Sequence, residues 1–104
     1  LILLFTAEAR QAGAEPVFVM FPQRVDIVCF GSHQPYESLL EELRERLLVV
    51  DGAEALRGTA LTALYTDDRY GGHYNATGNA LLAELLARYV RPVLRKEHVL
   101  HAAC

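Results

Sequence analysis

Between two prolines, Pro16 and Pro22, the chain reads Val17-Phe18-Val19-Met20-Phe21. Every position is apolar, so both faces of a strand here are greasy, as in the middle of a parallel sheet. Pro22 closes the run, because proline cannot donate to a strand ladder. Before it, Leu1, Leu4, Phe5, Ala9 and Ala12 are spaced for one face of a helix over residues 1–12. Gly13 is the natural stop, since glycine takes the left-handed conformation after a helix without steric cost. After it, Val25 to Phe30 predicts a second, shorter strand, with Cys29 inside it as a small buried hydrophobe.

Gly31 to Pro35 reads as a loop, and Pro35 suits the first turn of a helix. That helix, over about 36–47, has Leu39, Leu40, Leu43 and Leu47 as its buried stripe. Glu37, Glu41, Glu42, Arg44, Glu45 and Arg46 make its wet face. Leu48-Val49-Val50 is another short strand, closed by Asp51-Gly52, and residues 53–60 have room for one helical turn. Thr62 to Gly72 is polar and reads as loop. A last helix runs from about Ala76 to Val90, with Leu82, Leu85, Leu86, Tyr89 and Val93 on one side. Pro92 should kink or end it, leaving Arg95 to Cys104 as a frayed tail or short continuation. Helices that alternate with strands predict parallel βα units and an α/β fold. The pattern is that of the second half of a doubly wound domain.

At 104 residues the chain is one small domain or part of a larger one, and 52% hydrophobic residues exclude a disordered chain. Asp and Glu number 13 against 10 Lys and Arg, a balance that argues against nucleic-acid binding. Two cysteines, Cys29 and Cys104, make no disulfide framework and leave the redox compartment open. The apolar opening Leu1 to Phe5 is five residues long, against about 20 for a membrane span. It also lacks the basic flank and small-residue cleavage site of a signal peptide. With no initiator Met, the sequence reads as a piece of a longer protein, so upstream residues could hold part of an active site or a signal peptide.

In open α/β sheets, sites form beyond the carboxyl ends of the strands. The segment ahead of the last helix is therefore the first candidate. It reads Thr66-Asp67-Asp68-Arg69-Tyr70-Gly71-Gly72-His73-Tyr74-Asn75. Two carboxylates precede a histidine, and the double glycine gives the backbone freedom to place the imidazole. An Asp can hold a His in one tautomer through Nδ1 while Nε2 stays available as a base. The same residues also make an ordinary solvated turn. His73 with Asp67 and Asp68 could ligate a metal, though no HExxH or cysteine pair supports that reading. No cofactor motif is present. Ser32-His33 offers a hydroxyl beside an imidazole, but adjacent residues rarely point at each other. His98 and His101 lie on the tail. Asn75-Ala76-Thr77 fits a glycosylation sequon, and Asn75 fits better as the cap of the last helix.

The string Gly72-His73-Tyr74-Asn75, followed by Gly78-Asn79 and Leu82-Ala83-Glu84, resembles the last motif block of the SGNH (GDSL-like) hydrolase superfamily. In that family a His precedes the final helix in a phrase like Asp-x-x-His-x-Asn-x-x-Gly. The preceding helix, proline-ended strand, leucine-rich helix and Val-Val-Asp strand are also similar to the family's second half. The resemblance covers most of the chain, with about a dozen residues carrying its sharp part. It implies a three-layer α/β/α flavodoxin-like sandwich with a parallel sheet, of which residues 1–104 are a single domain or the C-terminal half. It implies a serine esterase or acyl transferase acting on a small-molecule or carbohydrate acyl ester, with no cofactor. His73 would be the base and Asp68 its orienter. The spacing departs from the family's step of three, where position 70 is Tyr, and an insertion at Gly71-Gly72 would restore Asp68, with Asp67 as the alternative. The family's Gly-Asp-Ser is absent here, so the nucleophile is expected upstream. The rival reading is a non-catalytic flavodoxin-like module that packs on a partner. Few strands leave open edges, so the chain is expected to be poorly stable alone, to form a homodimer, or to pack on a missing N-terminal half.

Overall fold

The computed structural model describes residues 1–30, 33–66 and 72–102. They form α1 (Ile2–Gln11), β1 (Val17–Met20), α2 (Arg24–Phe30), α3 (Glu37–Arg44), β2 (Leu48–Asp51), α4 (Ala53–Leu56), a 3-10 turn (Leu61–Ala63) and α5 (Ala76–Ala102). The protein is mixed α/β, with a parallel pair as the one sheet among the described residues. The chain divides into two compact units, Leu1–Ala53 and Glu54–Cys104.

In the first unit, β1 and β2 pair in parallel, Val17 with Leu48 through Met20 with Asp51. The Gly52 amide extends the ladder by donating to the Met20 carbonyl at 2.8 Å. Leu40, Leu43, Leu47 and Val49 form the buried cluster, with Ile2, Phe18, Met20 and Tyr36 packed against it. α3 packs on β2. Its apolar stripe is narrower than expected, because Leu39 is exposed. β1 itself is half-buried along its length rather than enclosed on both faces.

α1 ends as its sequence predicts. Gly13 has φ +82°. The Ala14 amide donates to the Ala9 carbonyl and the Gly13 amide to the Arg10 carbonyl, the two bonds of a Schellman cap. Arg10 Nη2 donates to Glu15 Oε1 at 2.9 Å and to the Arg46 carbonyl at 3.0 Å, tying α1 to the turn before β2. The hydrogen bond to Glu15 raises the Arg10 pKa above its ordinary value.

Two expectations are corrected. Val25 to Phe30 is the helix α2, not a strand. Its β-branched residues favour strands, but the Gln23 amide donates to Asp26 Oδ2 at 2.8 Å, half of a capping box, and starts a helix directly after Pro22. Cys29 is consequently an exposed free thiol on α2. Of the outcomes open at Pro92, the helix takes the continued one: α5 runs through it to Ala102. Proline removes one intrahelical bond, and here the helix persists on both sides of that gap.

Candidate functional site

The second unit carries the segment ahead of α5. Tyr65 and Tyr74 form an isolated antiparallel bridge. Their rings stack with centroids 4.9 Å apart and planes 30° from parallel. Just inside the bridge, the His73 carbonyl accepts from the Thr66 amide at 2.7 Å and from Thr66 Oγ1 at 3.2 Å. Just outside it, the Asn75 amide donates to the Leu64 carbonyl at 2.9 Å. Thr66 and His73 are thus held together beside the Tyr65–Tyr74 bridge. Tyr65 is buried beside the segment that carries His73. It stacks on Tyr74, and a Cβ on Gly72 would lie 3.1 Å from its own Cβ.

Asn75 fixes where the helix begins. Its Oδ1 accepts from the Gly78 amide at 2.9 Å, the cap-to-third-residue bond of a helix N-terminus. Its Nδ2 donates to the Ala63 carbonyl at 2.9 Å, so one carboxamide joins the 3-10 turn to α5. The capping role expected of Asn75 is therefore present. Asn75→Ala loses both bonds and should lower the stability of this unit by roughly 1–2 kcal/mol. Asn75→Asp, which keeps the acceptor, should recover part of the loss. Equal thermal melts for Asn75→Ala and the parent would contradict this assignment.

His73 is exposed, three residues ahead of α5, with its backbone held by Thr66. Asp68 and Asp67 lie outside the described residues, as do Ser32 and Gly71. His33, the partner considered for Ser32, sits 3.6 Å from Glu37 Oε2 through Nδ1, an exposed pair four positions apart with Glu37 at the start of α3. Tyr65 and Thr66 are the supports the sequence reading missed. The signal was faint: two tyrosines nine positions apart, on either side of a double glycine. An exposed imidazole on a fixed backbone can accept and return a proton to a reactant that comes to it.

Compared with known proteins, the chain matches no family model, no curated protein and no solved structure. No helix among the described residues is long and apolar enough to cross a membrane.

Proposed function

We propose that the chain is the C-terminal half of an SGNH-type hydrolase domain, within a three-layer α/β/α sandwich. The intact protein would hydrolyse or transfer an acyl ester. The carrying observation is the exposed His73, just ahead of a capped helix and with its carbonyl held by Thr66. In this reading a serine from outside the chain attacks the ester carbonyl, and its proton passes to His73. The alkoxide leaving group takes that proton as the carbonyl re-forms. Water then releases the acyl group by the same route in reverse. Asp68, or Asp67 in its place, holds the imidazole and balances its charge.

The test is covalent labelling of the intact protein with a serine-directed fluorophosphonate. Labelling that is lost when the Gly-Asp-Ser serine is replaced supports the reading. An intact protein that neither labels nor cleaves p-nitrophenyl esters refutes it. The 104 residues alone should give no turnover, because they lack the nucleophile. Robust hydrolysis that disappears on Ser32→Ala would relocate the nucleophile to this chain.

One observation favours the rival reading of an interaction module. α2 buries none of its residues, and Phe21, Val25, Val28 and Phe30 are all exposed. Contiguous exposed apolar side chains mark contact surfaces. Sedimentation of the isolated chain should show self-association. A monomer with a cooperative melt would remove that support.

A further inference from the structure

We draw no further inference here: the strongest candidate, the apolar groove of about 330 Å³ that α1 and β1 line with Ile2, Phe5, Val17 and Phe18, carries nothing because no feature of the structure shows what covers it.

Discussion

Replacing Gly78 with alanine should destabilise the second unit by about 1–3 kcal/mol. The sign runs against helix propensity, which favours alanine over glycine by about 1 kcal/mol inside a helix. Gly78 is the third residue of α5, and an added Cβ would stand 2.5 Å from the Leu64 carbonyl oxygen. That oxygen belongs to the backbone and is already accepting from the Asn75 amide at 2.9 Å. It cannot swing aside as a flexible side chain would. The same Cβ would lie 3.2 Å from Tyr74 Cδ1, so relief of one contact presses on the stacked tyrosines. Urea titration followed by near-ultraviolet circular dichroism reads both effects. A more stable alanine variant with an unchanged tyrosine signal would show that the helix start shifts at little cost.

On the hydrolase reading proposed above, His73→Ala in the intact protein should reduce acyl transfer by about 10²–10⁴-fold, the usual contribution of a positioned base. The backbone carbonyl of His73, which accepts both Thr66 bonds, is kept by alanine, so a thermal melt of the variant separates loss of the base from loss of the fold. Asp68→Ala should cost less, because the orienter does not itself take the serine proton. Normal esterase activity in a folded His73→Ala variant would remove this residue from the mechanism. A loss of activity accompanied by a lowered melting temperature would assign His73 a structural part instead.

The sheet was legible because its signals are local and unambiguous. Val17 to Met20 is apolar throughout and bounded by prolines, and Leu48 to Asp51 ends at a glycine. The end of α1 was legible for the same kind of reason, since Gly13 can accept a backbone conformation costly to other residues. The segment Val25 to Phe30 was misread because β-branched composition outweighed a single carboxylate three positions after Gln23. A hydrogen bond to a cap amide leaves little trace in a periodicity pattern. At Pro92 the sequence left two outcomes open, an end or a continued helix, because a long helix can bridge one missing amide. At the candidate site, the capping role of Asn75 followed from its type and place. The stacking of Tyr65 on Tyr74 did not, because it depends on a bridge that no local spacing announces.

The parallel register has a kinetic consequence. Val17 cannot meet Leu48 until the 31-position stretch linking them has been drawn into a ring. Tyr65 meets Tyr74 across only nine positions. Chain-closure entropy makes the longer ring dearer by about 1 kcal/mol before any contact rewards it. Non-local pairings of this kind set the slow step in small proteins. The tyrosine neck should therefore assemble ahead of the sheet. In pulse-labelled hydrogen exchange during refolding, the Thr66 and Asn75 amides should gain protection before those of Val49 and Val50. The reverse order would mean that apolar collapse around Leu40 and Leu43 brings the strands together early.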